Sequence, residues 1–168
     1  MKKEGKAKAK DKGDLKFLVV DDMIGMRRTI RNMLRQLGYV HIVDADDGVS
    51  AWNKLSIDRV DVAIVDWNMP NMNGITLLKK TRQDDRLADI PFIMVTAEVA
   101  EETIAEAAET EVDAYIIKPF VAKTLEEKIE QVLERKSNPS PLDTHLHLAS
   151  VFAHAGQYGG PCCAYGQT

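Results

Sequence analysis

The chain has 168 residues, of which 45% are hydrophobic and 29% are charged, a composition that fits one globular domain with some additional chain. No apolar run approaches the roughly 20 residues that a membrane span needs, and the N-terminus lacks the apolar stretch of a signal peptide. The two cysteines, Cys162 and Cys163, are adjacent, which excludes a disulfide framework. We therefore expect a cytoplasmic protein that does not insert into membranes.

The formal net charge of -4 is unevenly distributed along the chain. Residues 1–13 carry six Lys against two acidic residues, whereas residues 14–137 carry 16 Lys and Arg against 23 Asp and Glu. A basic segment can bind nucleic acid or a membrane surface, but this one has neither aromatic residues nor an amphipathic period. We predict a disordered basic leader over residues 1–13 and expect no nucleic-acid partner.

Five short apolar runs predict five strands, at residues 16–20, 39–45, 62–66, 91–95 and 113–117. Each run is followed by a stretch of helical periodicity; for example, Ile30, Leu34 and Leu37 precede Gly38, a frequent helix terminator. The last two helices are predicted over 98–111 and 121–136. Such alternation predicts an α/β domain whose parallel sheet is covered by helices on both faces and connected by right-handed crossovers.

Polar residues stand at the ends of four of these strands: Asp21, Asp22, Asp66, Thr96 and Lys118. The carboxyl ends of parallel strands meet at one edge of a sheet, where open α/β folds place their chemistry. Three neighbouring carboxylates repel one another unless a cation neutralises them, and Mg²⁺ prefers oxygen ligands. The spacing therefore predicts a site for a divalent cation and a phosphoryl group.

The stretches LVVDDMIGMRRTIRNMLRQLGY, VDWNMPNMNG, MVTAE and YIIKPF resemble the receiver domain of two-component response regulators, and most of all the chemotaxis CheY-like group. The resemblance covers roughly residues 14–137. It implies a flavodoxin-like, doubly wound sheet of five parallel strands in the order 2-1-3-4-5. It also implies a phosphorylation switch rather than an enzyme, and a cis bond before Pro119.

The resemblance further implies a role for each residue of the site. Asp66 would accept a phosphoryl group from a sensor histidine kinase, and Lys118 would neutralise charge beside it. Mg²⁺ would be held by Asp22, Asp66 and the backbone oxygen of Asn68, with Asp21 acting mainly through water. Thr96 would donate a hydrogen bond to the new phosphoryl group.

Output would depend on Thr96, Tyr115 and the helix predicted over 98–111. In the family the threonine moves toward the phosphoryl group and an aromatic residue, here Tyr115, turns inward behind it. Relatives carry lysines near the start of this helix, whereas Ala100 and Glu101 stand here and 98–111 holds six glutamates. We expect a downstream protein to dock on this surface, and a different partner choice from that of the chemotaxis relatives.

Other interpretations remain for the same residues. An aspartate at a strand end commonly caps the following helix, Lys118 can be a surface lysine, and Thr96 an ordinary strand residue. An aspartyl-nucleophile phosphatase or phosphotransferase is the alternative function, although such enzymes usually carry the nucleophile in a D-x-D motif on the first strand. A flavin carrier of the same topology would need a Ser/Thr/Gly-rich phosphate loop after the first strand, where DDMIGMRR stands and would repel a phosphate unless a metal were bound.

The chain continues past the last predicted helix through a linker, residues 138–141, rich in Pro and Ser. Residues 142–168 resemble one partial tetratricopeptide repeat, a helical hairpin that cannot bury its own apolar face. Either the chain is then a fragment of a longer protein, or the segment contacts the receiver domain or forms a homodimer with a second copy. A tail that is amphipathic by accident is the alternative, and its histidines and cysteines make only a weak case for a metal site.

Overall fold

The structure is a computed structural model that describes residues 10–97, 105 and 112–137. All five predicted strands fall within these ranges. Residues 1–9 of the predicted leader and, apart from Ala105, the predicted helix 98–111 lie outside the described residues. The predicted linker 138–141 and the predicted hairpin 142–168 also lie outside them.

Five parallel strands form a single sheet in the order β2-β1-β3-β4-β5. This order is the predicted one, and the flavodoxin-like fold class is confirmed. The strands are β1 (Lys16–Val20), β2 (His41–Ala45), β3 (Val62–Asp66), β4 (Phe92–Thr96) and β5 (Ala114–Ile117).

Four helices are described, namely α1 (Ile24–Gln36), α2 (Gly48–Ile57), α3 (Gly74–Arg82) and α4 (Ala122–Ser137). Helix α1 ends as its sequence predicts, because Gly38 adopts a φ of 94°. The amide of Gly38 donates to the carbonyl of Arg35, and the amide of Tyr39 donates to that of Leu34. These two bonds satisfy carbonyls that the helix end would otherwise leave unpaired.

The sheet is buried on both faces, which explains why its strands read as continuous apolar runs. Alternate strand residues contribute to two separate hydrophobic clusters. One cluster lies under α2 and α3 and includes Leu18, Val65, Met94, Leu55 and Leu78. The other lies under α1 and α4 and includes Phe17, Ile64, Leu34, Leu125 and Ile129.

Several sequence-based boundaries differ from the structure by one residue, at the fourth and fifth strands and at the last helix, and two larger differences occur near the amino end of the domain. The second strand begins at His41 instead of residue 39, because the amide of Tyr39 donates to the carbonyl of Leu34 at the end of α1 and the pairing with β1 starts at His41. Residues 10–13 are not a free leader. Lys10 Nζ lies 2.6 Å from Asp61 Oδ1, and a 3-10 turn, Lys12–Asp14, precedes β1.

A long apolar helix able to cross a bilayer does not occur among residues 10–97, 105 and 112–137.

Candidate functional site

The carboxyl edge of the sheet brings together four of the predicted site residues. Asp21 follows β1, Asp66 ends β3, and Lys118 follows β5. One carboxylate oxygen from each of Asp21, Asp22 and Asp66 lies within 4.8 Å of the others. Lys118 Nζ lies 2.9 Å from Asp21 Oδ2 and 2.8 Å from Asp66 Oδ1. The charge at this cluster is thus three carboxylates against one ammonium.

Burial makes this arrangement electrostatically demanding. Asp21 is 1% exposed and Asp66 is 7% exposed, whereas Asp22 faces solvent. Burial raises the pKa of Asp66, and the carboxylates of Asp21 and Asp22 raise it further, while Lys118 acts in the opposite direction. Burial alone would lower the pKa of Lys118, but its hydrogen bonds to Asp66 and Asp21 outweigh this and the pKa is raised. The negative charge of the three carboxylates is therefore only partly balanced by Lys118, and a cation bound at the cluster would stabilise it.

The donor set fits Mg²⁺. The three carboxylates offer only oxygen ligands, and their spacing allows one small cation to contact all three. Asn68 is exposed and lies two residues beyond Asp66, in the loop that leads to α3. A magnesium ion keeps several of its waters, so few protein ligands are sufficient.

The helix-cap interpretation does not hold for Asp21. The residue at the N-cap position of α1 is Met23, and no side chain caps that helix end. Asp21 Oδ1 instead accepts from the amide of Met23 over 2.8 Å, which fixes the carboxylate and leaves Oδ2 to meet Lys118. The carboxylate is oriented by its own loop toward the cluster.

Thr96 and Tyr115 lie on neighbouring strands beside this cluster. Thr96 ends β4 and is 1% exposed, and its carbonyl accepts from the amide of Lys118 over 2.7 Å. Tyr115 points inward at 7% exposure, and its ring meets that of Trp67 edge-on at 6.2 Å. Burial raises the pKa of Tyr115, partly opposed by the Thr96 hydroxyl. The role of Thr96 and Tyr115 as switch residues stays a prediction.

Arg27 contacts this site, and the sequence did not single it out. Arg27 Nη1 donates to the carbonyl of Asp21 over 2.7 Å, and Nε donates to Asp44 Oδ2 over 3.2 Å. The guanidinium thus ties the acidic loop to β2. An arginine in an amphipathic helix carries no sequence signal for such a contact, because the partner carbonyl and Asp44 come from two other segments.

The peptide bond between Lys118 and Pro119 is cis, as predicted from the resemblance.

Comparisons with known proteins identify the family of this chain. The model of the response regulator receiver domain matches residues 17–130. The chain is 48% identical over 121 residues to the chemotaxis protein CheY of Pseudomonas aeruginosa, covering 72% of this chain and 98% of that protein. It is 47% identical over 122 residues to the chemotaxis protein CheY-3 of Vibrio cholerae, covering 73% of this chain and 94% of that protein.

Solved structures give the same result. The chemotaxis protein CheY4 of Vibrio cholerae matches with a TM-score of 0.66 at 33% identity, covering 70% of this chain and 98% of that one. The CheY-like receiver domain protein of Methanospirillum hungatei matches with a TM-score of 0.68 at 28% identity, covering 75% and 99%. None of these matches supports the tetratricopeptide-like interpretation of residues 142–168, since the family match ends at residue 130. The chain belongs to the family of response regulator receiver domains, among its CheY-like members.

Proposed function

We propose that this chain is a phosphorylation-controlled signalling switch in which Asp66 accepts a phosphoryl group from a sensor histidine kinase in the presence of Mg²⁺. The observation that carries the proposal is the carboxylate of Asp66, buried at the sheet edge, 2.8 Å from Lys118 Nζ and grouped with two further carboxylates. A buried acid with a raised pKa at a cluster of charged groups is a frequent mark of a functional site.

Asp66 is the proposed nucleophile. One of its oxygens attacks the phosphorus of a phosphohistidine; an O–P bond forms, the N–P bond breaks, and the imidazole leaves with the electron pair and takes up a proton. Lys118 Nζ lies 2.8 Å from Asp66 Oδ1, and this supports its proposed role of neutralising charge as the phosphoryl group arrives.

The residues proposed to hold Mg²⁺ are Asp22, Asp66 and the backbone oxygen of Asn68, with Asp21 acting through water. These residues would hold the ion, which would supply positive charge and offset the repulsion among the carboxylates. Both carboxylate oxygens of Asp21 already accept hydrogen bonds, one from the amide of Met23 and the other from Lys118. This supports the proposal that Asp21 contacts the ion through water.

The proposed output runs through Thr96 and Tyr115. A new phosphoryl group on Asp66 gives the Thr96 hydroxyl a charged acceptor, and this biases a two-state arrangement of the neighbouring surface. The surface formed by Tyr115 and residues 98–111 would then bind a downstream protein. Because 98–111 contains six glutamates and no Lys or Arg, we propose a partner with a basic docking face.

The test is phosphorylation of the purified chain by acetyl phosphate. We expect one phosphoryl mass to be added in the presence of Mg²⁺, none in EDTA, and none in Asp66→Asn. Mg²⁺ should also change the fluorescence of Trp67, which follows Asp66 and is 7% exposed. Asp89→Asn, at an exposed site away from the cluster, is the matched control and should behave as the unsubstituted chain does.

The same experiment separates the switch from an enzyme. A phosphatase or phosphotransferase would turn over many equivalents of phosphodonor and deliver the phosphoryl group to a second substrate. A switch takes up one equivalent and afterwards only hydrolyses its own acyl phosphate. Phosphorylation of Asp66→Asn at the unsubstituted rate would overturn both interpretations.

A further inference from the structure

A short set of contacts joins the amino end of α2 to the segment 67–73, called here the β3–α3 loop. Asn71 Nδ2 donates to Asp47 Oδ2 over 2.9 Å. The other carboxylate oxygen of Asp47 accepts from the amide of Ser50 over 2.7 Å, so Asp47 also caps α2. One side chain thereby fixes the start of a helix and the middle of a loop.

The backbone of the β3–α3 loop has an unusual conformation at Asn71 and packs closely against α2. Asn71 has a φ of 66°, a left-handed conformation that asparagine tolerates better than most residues. Beside it, Gly48 packs so closely that an added Cβ would lie 2.5 Å from the carbonyl oxygen of Met72. The loop is therefore held against α2 by a polar bond at Asn71 and by close backbone packing at Met72.

The loop begins and ends at the phosphorylation site. It starts directly after Asp66 and contains Asn68, whose carbonyl is a proposed Mg²⁺ ligand. At its far end, the amide of Gly74 donates to the carbonyl of Trp67 over 3.0 Å, and a Cβ on Gly74 would collide with the carbonyl oxygen of Asp66. A shift of the loop would thus reach both Asn68 and Asp66.

We propose that Asp47 and Asn71 are positioning residues, whose hydrogen bond holds the β3–α3 loop in the geometry that receives the divalent cation. This inference rests on the proposed function of the site, and it adds two residues that contact neither the metal nor the phosphoryl group. The benefit is pre-organisation, because a loop held in place before binding loses less conformational freedom when the ion binds.

Two substitutions remove the bond while keeping the local backbone. Asp47→Ser retains a good N-cap for α2 but is too short to reach Asn71. Asn71→Gly retains the left-handed conformation but has no amide to donate. Asp46→Ser is the matched control, because it removes a neighbouring exposed carboxylate without touching the loop contact.

Two measurements decide the question. Hydrogen exchange of the Met72 and Gly74 amides, recorded in EDTA, should accelerate several-fold in Asp47→Ser and Asn71→Gly, while the Ile64 amide in the sheet exchanges as before. In Mg²⁺ titrations followed by Trp67 fluorescence, the Kd should rise about five-fold in each variant. The double variant should be no weaker than either single one, since both remove the same bond.

Unchanged loop exchange and unchanged Kd in the folded variants would overturn the proposal, and so would additive losses in the double variant. Equal losses in Asp46→Ser would also overturn it, because they would assign the effect to net charge. If the unsubstituted chain gave no response to Mg²⁺, the proposed function and the metal half of this inference would fall together. The hydrogen-exchange data would still show whether the Asp47–Asn71 hydrogen bond stabilises the β3–α3 loop.

Discussion

At the scale of single residues, the dominant fact is that Asp66 is buried beside two other carboxylates with one lysine to offset them. Lys118 donates hydrogen bonds to both Asp21 and Asp66, so its single positive charge offsets two carboxylates. In the metal-free protein the ionised Asp66 is therefore a net cost to folding, which is reflected in its raised pKa. Sites that prepare a binding surface for a ligand commonly reduce stability in this way.

We predict that Asp66→Asn stabilises the metal-free protein at neutral pH by about 1 kcal/mol, the usual scale of a single-site change. A folded carboxyl with a raised pKa holds its proton more tightly than the unfolded chain does. Stability is therefore lost as the pH rises from the ordinary pKa of Asp through the raised one. The advantage of Asn should accordingly disappear as the pH falls toward 4, measured by urea denaturation in EDTA.

Excess Mg²⁺ should reduce or reverse the stability advantage of Asp66→Asn, because a bound ion stabilises the folded state and the unsubstituted chain binds the ion more tightly. Asp89→Asn, an exposed carboxylate, should leave the urea midpoint unchanged at every pH. A lower midpoint for Asp66→Asn in EDTA at pH 7 would contradict the charge argument.

At the scale of secondary-structure elements, Arg82 connects the end of α3 to the amino edge of the sheet, opposite the proposed phosphorylation site. Arg82 Nη1 donates to the carbonyls of Ala88 at 2.6 Å and Ile90 at 2.8 Å, and Nη2 lies 2.7 Å from Asp113 Oδ2. The same Asp113 oxygen accepts from the amide of Phe92. One guanidinium thus joins α3, the segment before β4 and the segment before β5.

We predict that Arg82→Met destabilises the fold by about 2 kcal/mol, because two carbonyls lose the guanidinium that donates to them and the partly buried Asp113 loses its contact with Arg82, although it keeps the amide of Phe92. Thermal or urea unfolding measures the loss. Arg86→Met is the control of equal charge change, since Arg86 is 71% exposed in its pair with Asp84 and such pairs contribute little. If both variants lost the same free energy of unfolding, the loss would come from the change in net charge and not from the hydrogen bonds of Arg82.

At the scale of the whole molecule, the two hydrophobic clusters draw their members from residues 15–133 and together cover both faces of the sheet. The first described residues also belong to this unit, because Lys12 Nζ lies 3.2 Å from Glu126 Oε1 on α4. Residues near both ends of the described chain thus belong to one packed unit.

We predict that a chain of residues 10–137 folds, binds Mg²⁺ and is phosphorylated within about two-fold of the full chain, because the core and the site both lie inside it. Circular dichroism, Trp67 fluorescence and the acetyl phosphate assay measure this. Loss of folding on removal of 138–168 would contradict it. A change in oligomeric state alone would instead support the prediction that 142–168 contacts a second copy.

The apolar runs and the polar residues behind them determined much of this protein. Because a parallel sheet buried on both faces needs continuous apolar strands, the runs identified all five strands. Because strand ends converge, the order of Asp21, Asp66, Thr96 and Lys118 predicted one site. The resemblance added the strand order, the cis bond and the proposed roles.

Only the tertiary structure decided which residues support that site. Arg27 on Asp21, Asn71 on Asp47 and Arg82 on Asp113 each join segments that are distant in sequence. Neither partner of such a bond carries a periodic or compositional signal, since a single polar residue in a helix or loop looks the same whether it faces water or a carbonyl. The sequence therefore determines where the chemistry gathers, whereas the fold determines what holds it in place.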